Sequence, residues 1–385
     1  MLLGRLHNVL MFDRDNFSQT DIFFKPAMGD LSFAHVIVTN FFPLWQMVEV
    51  FQLDRNEINS SNYQLVLESP AGERKEVLVR EFKVLKDIQQ IRFYLEFLVK
   101  LYERRVRVSR IYPATDGALV AEYRGQAYAV FEFLDATHFV PTAEAFAGVA
   151  REVARMHQVF SELGEYQSRI EEYSQQGETF FNAVPAVLAS DISVIKNALE
   201  QKKEHTDIDA LVFARLPQYM EAALQIEAMR KTADTFPKQI FHSDLHPHNI
   251  LLHKGAVSVA ALVDFDSVRV QSLGYAHDVA YAIYRLGRQF FAGKDVSTKE
   301  MREQANALRE LFIAEYTQVR PLSRDELELL VLLVKEEMLK KLIYILKGAY
   351  LGAHVAWLHD LQKFIPALDE IDILLVSSGT GVELQ

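Results

Sequence analysis

Two short stretches constrain this chain more than any others. The first runs Phe241, His242, Ser243, Asp244, Leu245, His246, Pro247, His248, Asn249, Ile250, Leu251, Leu252; the second runs Leu262, Val263, Asp264, Phe265, Asp266, Ser267. In each, apolar residues bracket a polar centre. That is the pattern of a loop held open to a ligand by two buried strands. Asn249 follows Asp244 by five positions and Asp264 follows it by twenty. A short strand, a turn and a return strand fill that distance, so the three polar side chains are expected at one rim.

The first stretch reads His-x-Asp-Leu-x-x-x-Asn, which resembles the catalytic loop of protein kinases, where Asp is the base and Asn a magnesium ligand. The second supplies an Asp-Phe pair where kinases carry their other magnesium-binding Asp. At these residues the chain resembles the aminoglycoside phosphotransferase group of small-molecule kinases, which also holds choline, homoserine and N-acetylhexosamine kinases. The resemblance implies an α+β, protein-kinase-like fold in two lobes: a small antiparallel β-rich N-lobe and a large, mainly helical C-lobe. It further implies transfer of phosphate from ATP to a hydroxyl. Asp244 would accept or orient the proton of the attacking hydroxyl. Asn249 and Asp264 offer the hard oxygen ligands that suit Mg2+ bound partly through nucleotide phosphates. His242 would brace the loop.

A different chemistry uses some of the same residues. His242, Asp244, His246 and His248 alternate, so a strand would put them on one face, as in a His/Asp metallohydrolase. Pro247 and Asn249 favour a loop instead.

The resemblance orders the remaining elements. Residues 1–45 are read as an N-terminal extension and a lead-in helix, which is expected to continue through Leu44 to Val50. A β-rich nucleotide-binding lobe follows over 46–134, and the helical lobe occupies 135–385. The runs from Tyr63 to Ser69 and from Lys75 to Phe82 alternate as strands around a turn at Pro70 to Glu73. Before them, Asn56 to Tyr63 stands where the family has its loop over the nucleotide phosphates. It holds no Gly, so Ser60 and Ser61 would let backbone N–H groups approach the phosphates. Arg80 stands where kinases place the strand Lys that meets the α/β-phosphates. Glu96, on a helix over Ile88 to Arg105, resembles the Glu that pairs with this cation. The strand ending in Glu132, Phe133 and Leu134 resembles the hinge whose backbone binds adenine.

The helical lobe opens with an amphipathic helix over Ala143 to Phe160, with Phe146, Val149, Ala150, Val153, Met156 and His157 on one stripe. Few apolar anchors, among them Phe180, Phe181, Val184 and Val187, mark the polar-rich stretch that follows. Leu211 to Met229 reads as another helix. Asp278 is expected to open a helix as its N-terminal carboxylate, and in the resembled family it also braces the catalytic loop.

Composition narrows the partners. The net charge is -11, with no dense Lys/Arg run, so nucleic acid is not expected as a partner. There is no Cys, which excludes disulfides, thiolate catalysis and Cys-based zinc sites. The apolar start is broken by Arg5, His7 and Asn8, unlike a signal peptide. The long apolar signal from Leu327 to Leu351 is interrupted by Lys335, Glu336, Glu337, Lys340 and Lys341, unlike a membrane span. A cytoplasmic enzyme with no membrane partner is expected. Its oligomeric state is not encoded in any motif.

The functional expectation is phosphorylation of a small-molecule hydroxyl. A sugar or amino sugar is favoured, because Glu57 to Tyr63 and the missing strand Lys look most like the N-acetylhexosamine kinases. Aminoglycosides, choline or ethanolamine, and homoserine stay open as acceptors. The alternative from another class is a catalytically silent relative that binds a nucleotide or a partner.

Overall fold

The computed structural model describes residues 22, 24–53, 60–83, 87–176, 185–294, 296–353, 358 and 361–376. The calls on Asn56 to Asn59, Phe180, Phe181 and Val184 lie outside them. The chain divides into two compact units: residues 19–140 with 247–266, and residues 1–18, 141–246 and 267–385.

The first unit is built on an antiparallel sheet. Its strands are β1 (Phe24–Pro26), β2 (Gln46–Leu53), β3 (Ser60–Glu68), β4 (Arg74–Phe82), β5 (Ile111–Tyr112), β6 (Ala121–Tyr123) and β7 (Gln126–Glu132), in the order β1-β2-β3-β4-β7-β5 with β6 also on β7. Period-2 alternation gives this sheet two apolar faces. Leu65, Leu67, Val77, Val79, Tyr128 and Val130 pack with Phe33, Ile37 and Phe41 of helix α1 (Ser32–Phe41). Phe82, Ala127, Ala129 and Phe131 pack with Ile91 and Leu95 of helix α2 (Ile88–Glu103).

Two tight turns fix the registers. Ser69 accepts from the Gly72 N–H and donates its own N–H to the Glu73 carbonyl, with Gly72 at φ 79°. Arg124 and Gly125 join β6 to β7 with φ of 50° and 78°. Positive φ at both central residues is what a two-residue hairpin turn matching the strand twist requires.

The lead-in helix is shorter than expected. It ends at Phe41, and Gln46–Leu53 is a strand paired along β3. Pro43 cannot continue a helix, and the β-branched and aromatic run beyond it fits a pleated surface. Within the expected extension, Phe24–Pro26 adds an edge strand to β2. The same unit holds a second, three-stranded sheet of β8 (Ala136–His138), β10 (Ile250–His253) and β11 (Val259–Leu262), with β10 in the middle.

The second unit is helical. It contains α3 (Ala143–Glu162), α4 (Gln167–Gln176), α5 (Pro185–Glu200), α6 (Asp207–Ala233), α7 (Gly274–Phe291), α8 (Thr298–Thr317), α9 (Arg324–Leu351), α10 (Leu361–Phe364) and α11 (Ala367–Leu374), with a two-stranded ribbon of β9 (Lys238–Phe241) and β12 (Arg269–Ser272). Side-chain caps start the long helices. Thr206 with Asp209 and Ser323 with Glu326 form reciprocal capping boxes. The stripe of α3 is buried as its spacing demands. Helix α7 is buried along nearly its whole length, so its polar residues must find partners inside the protein. Among the described residues no helix is long and apolar enough to cross a membrane.

Candidate functional site

The motif residues fall on both units. In the helical unit, β9 ends at Phe241 and the chain turns sharply through His242 and Ser243. Ser243 has φ 70°, a left-handed conformation that costs a non-glycine residue of order 1 kcal/mol and persists only where neighbours enforce it. The enforcing group is Asp278. Its carboxylate accepts from the His242 N–H at 2.7 Å and the Ser243 N–H at 2.8 Å. It also accepts from His157 Nε2 at 3.0 Å. The Ser243 hydroxyl donates to the Ser267 carbonyl.

The sequence placed Asp278 at the opening of its helix. Instead α7 begins at Gly274 after Leu273, and Asp278, one turn further in, is fully buried and turned onto the loop. The bracing role stands on these bonds; the capping role does not.

His157 is neutral. Burial lowers its pKa, outweighing the Asp278 carboxylate that pulls it up. Its Nδ1 therefore accepts from the Tyr316 hydroxyl at 2.8 Å while Nε2–H donates to Asp278. His242 is buried, and its Nδ1 accepts from the Asp244 N–H at 3.3 Å.

Asp244 follows this braced turn with its side chain 27% exposed. Tyr281 of α7 donates its hydroxyl to Oδ1 at 3.2 Å. His246 Nε2 lies 3.3 Å from Oδ2. Burial alone would raise the Asp244 carboxyl, but His246, Lys341 and Arg285 outweigh it and hold the acid well below the usual carboxylate range. The group is a carboxylate at any physiological pH.

In the sheet unit, Pro247–Asn249 is a 3-10 turn. The sequence from His242 to His248 is thus not a strand, and the alternation on which a His/Asp metal face rested is not realised. His248 packs edge-on against His138, 4.8 Å between ring centres. Asn249 is buried, and its carbonyl accepts from the Val263 N–H at 3.0 Å. That bond ties the head of the β10–β11 hairpin to the start of the second motif. Asp264 has φ 66°, a second non-glycine residue in the left-handed region.

Arg80, on β4, reaches both carboxylates of the second motif. Its guanidinium lies 3.2 Å from Asp264 and 3.3 Å from Asp266. Glu96 is exposed on α2, so the carboxylates beside Arg80 are those two rather than Glu96. Ser60 and Ser61 are buried at the start of β3, opposite Phe82 and Glu81. Glu132 ends β7, its N–H donating to the Arg110 carbonyl at 2.8 Å, and Phe133 and Leu134 follow partly exposed.

The fit of a divalent cation can be judged from these donors. Asn249, Asp264 and Asp266 are oxygen donors, the chemistry magnesium prefers. Asp264 and Asp266 already share one positive charge, the Arg80 guanidinium. Among the described residues no group of three or more His, Cys, Asp or Glu could hold a metal unaided. That suits an ion which keeps waters and phosphate oxygens in its shell.

Sequence reasoning missed Tyr281, Arg285, Lys341 and Asp266. Arg285 Nη1 and Lys341 Nζ donate to the Tyr281 hydroxyl oxygen at 3.2 and 3.0 Å. Glu337 pairs with Lys341 at 3.1 Å. The signal available was the one-turn spacing of Tyr281 with Arg285 and of Glu337 with Lys341.

The phosphotransferase enzyme family model matches residues 52–322. The chain belongs to this family. The fold of this phosphotransferase is shared with solved structures of low sequence identity. An aminoglycoside phosphotransferase from Alicyclobacillus acidocaldarius is 15% identical, with a TM-score of 0.61, covering 91% of this chain and 95% of that one. A spectinomycin phosphotransferase, solved with ADP and spectinomycin, is 12% identical, with a TM-score of 0.63, covering 91% and 98%. A microcompartment-associated aminopropanol kinase is 17% identical, with a TM-score of 0.53, covering 89% and 95%. A search of curated protein sequences found no match. The likeness to the solved structures bears on fold, and it agrees with the expected kinase-like architecture of an antiparallel sheet unit and a helical unit.

Proposed function

We propose that this phosphotransferase moves the γ-phosphoryl group of ATP to a hydroxyl of a small molecule, with a sugar or amino sugar as the favoured acceptor. The observation that carries this reading is the state of Asp244. It is ionised, with the Tyr281 hydroxyl donating to Oδ1 and His246 Nε2 beside Oδ2. An ionised carboxylate is an acceptor only, which is what an incoming hydroxyl requires of it. The acceptor oxygen attacks the γ-phosphorus, the bond to the β-phosphate oxygen breaks, and ADP leaves. The hydroxyl proton passes to Asp244 as the new bond forms. An acid with so low a pKa holds little of that proton in the ground state. Its main work is to orient the hydroxyl and receive the proton late, as suits a loose phosphoryl-transfer transition state.

Asn249 and Asp264 are the residues that would hold magnesium. The ion, when bound, neutralises the charge on the phosphate oxygens. Arg80 serves the nucleotide phosphates in this reading, since its planar fork suits phosphate and carboxylate oxygens alike. Ser60, Ser61 and the backbone of Glu132, Phe133 and Leu134 are proposed for the rest of the nucleotide.

The favoured acceptor class rests on the run Glu57 to Tyr63 and the missing strand Lys, which resemble the N-acetylhexosamine kinases.

A second reading draws on the Arg80 ion pair with Asp264. A guanidinium resting on a metal-ligand carboxylate also suits a silent relative that binds a nucleotide or partner without turnover. Calorimetry with ATP separates the possibilities. Magnesium-dependent binding that Asp264→Ala weakens at least about 10-fold, a loss on the order of 1.4 kcal/mol, supports the metal role. A wild-type protein that binds no ATP in magnesium overturns the enzyme reading.

A further inference from the structure

Helix α7 is sequestered, yet it presents Tyr281 and Arg285, one turn apart, to the Asp244 side of the helix. Lys341 and Glu337, also one turn apart, approach from α9. The Tyr281 hydroxyl has three neighbours: Arg285 Nη1 at 3.2 Å, Lys341 Nζ at 3.0 Å and Asp244 Oδ1 at 3.2 Å. Lys and Arg are donors only. The Tyr281 oxygen must therefore accept twice, and its single proton has one acceptor left, the Asp244 carboxylate. The directions of all three bonds are fixed by chemistry alone.

We propose that Tyr281 is a positioning residue for phosphoryl transfer, with its hydroxyl, set by Lys341 and Arg285, holding the Asp244 carboxylate in the orientation that meets the acceptor hydroxyl. This rests on Asp244 being the base of the reaction.

Three observations support the assignment. The ring of Tyr281 is held on several sides, stacked on His277 with 5.8 Å between centres and with Lys341 Nζ 4.9 Å above it. The hydroxyl therefore cannot follow a moving carboxylate, and the carboxylate must come to it. The four charges of the cluster are Arg285 and Lys341 against Asp244 and Glu337. Protonating Asp244 would leave an uncompensated buried cation, which is costly. Tyr281 is the polar link through which both cations reach Asp244. A hydroxyl polarised by two cations is also a stronger donor than a free phenol. His246 engages the other oxygen, so the carboxylate is held from both sides.

The variant Tyr281→Phe keeps the ring and removes only the link. It is compared with Lys341→Met, Lys341→Arg and the double variant Tyr281→Phe/Lys341→Met, with Mg-ATP and water as the basal acceptor. Tyr281→Phe is expected to lower kcat by up to about 10²-fold, leave KM for ATP unchanged and move the acid limb of the pH profile to higher pH. Lys341→Met should do the same more weakly, and Lys341→Arg should restore the wild-type profile. In the double variant the second change should add little, since both act through one bond. A Tyr281→Phe enzyme with wild-type kcat and acid limb would overturn the proposal, as would strictly additive effects.

A readout independent of turnover is the carboxyl titration of 13C-labelled aspartate, with Asp244 assigned by the signal lost in Asp244→Asn. In Tyr281→Phe its midpoint should rise toward the ordinary aspartate range, and an unmoved midpoint would refute the link. If wild type releases ADP neither with water nor with any acceptor, the kinase reading fails, while the titration still decides the coupling of Tyr281 to Asp244.

Discussion

Asp278 is the residue on which the turn at His242 and Ser243 depends. It satisfies two backbone N–H groups and the His157 ring from full burial. Asp278→Ala would leave all three donors unpaired and is expected to cost about 3–5 kcal/mol, read as a lower urea midpoint. A second prediction concerns His157. Its folded pKa is lowered by burial, whereas in the unfolded chain it titrates near the free value of about 6.5. The unfolded state thus binds the extra proton first. The stabilisation is whole above about pH 6.5 and is lost as the pH falls from there toward the folded pKa, with a slope of at most about 1.4 kcal/mol per pH unit. Urea midpoints between about pH 5 and 7 should fall less steeply for His157→Gln than for wild type. Equal slopes would mean that the imidazole titrates alike in the folded and unfolded chain, and would contradict the shift. Asp244, Asn249 and Asp264 could be singled out from sequence because their types and spacing are local. Tyr281 and Lys341 reach Asp244 from other elements, and an isolated Tyr or Lys on a helix carries no sign of that.

At the scale of elements, the packing of α7 on β9 sets where the turn at His242 and Ser243 begins. Gly274 has no room for a side chain. A Cβ there would lie 2.8 Å from Phe241 Cδ1 and 3.0 Å from its Cβ, and Phe241 is buried immediately before the loop. Gly274→Ala is therefore expected to cost about 1–3 kcal/mol through overpacking and to lower kcat more than KM by displacing His242 and Ser243. Thermal unfolding and steady-state kinetics measure the two effects. The β3–β4 and β6–β7 hairpins were legible because their turn residues enforce them. Strand β2 was not, because Pro43 is ambiguous between kinking a longer helix and ending one. The sheet partner that decides it is β3, which begins at Ser60. Helix α6 was legible as the run from Leu211 to Met229, whereas α5 was indistinct in a polar-rich stretch, since its apolar face is completed by packing on α6 and α9.

For the whole molecule, family membership and fold agree with the motif chemistry. The excess of acidic residues does not contradict an anionic nucleotide, because binding depends on the local donors and cations of the site rather than on net charge. The most direct test is ADP release from Mg-ATP against a panel of acceptors, with Asp244→Ala as the blank. The panel holds neutral sugars, N-acetylated and free hexosamines, aminoglycosides, choline, ethanolamine and homoserine. The expected result is release that depends on a neutral sugar or N-acetylated hexosamine and disappears in Asp244→Ala, with ATP affinity retained. Release that persists in Asp244→Ala would contradict the role of that carboxylate, and release driven only by cationic acceptors would contradict the proposed sugar acceptor.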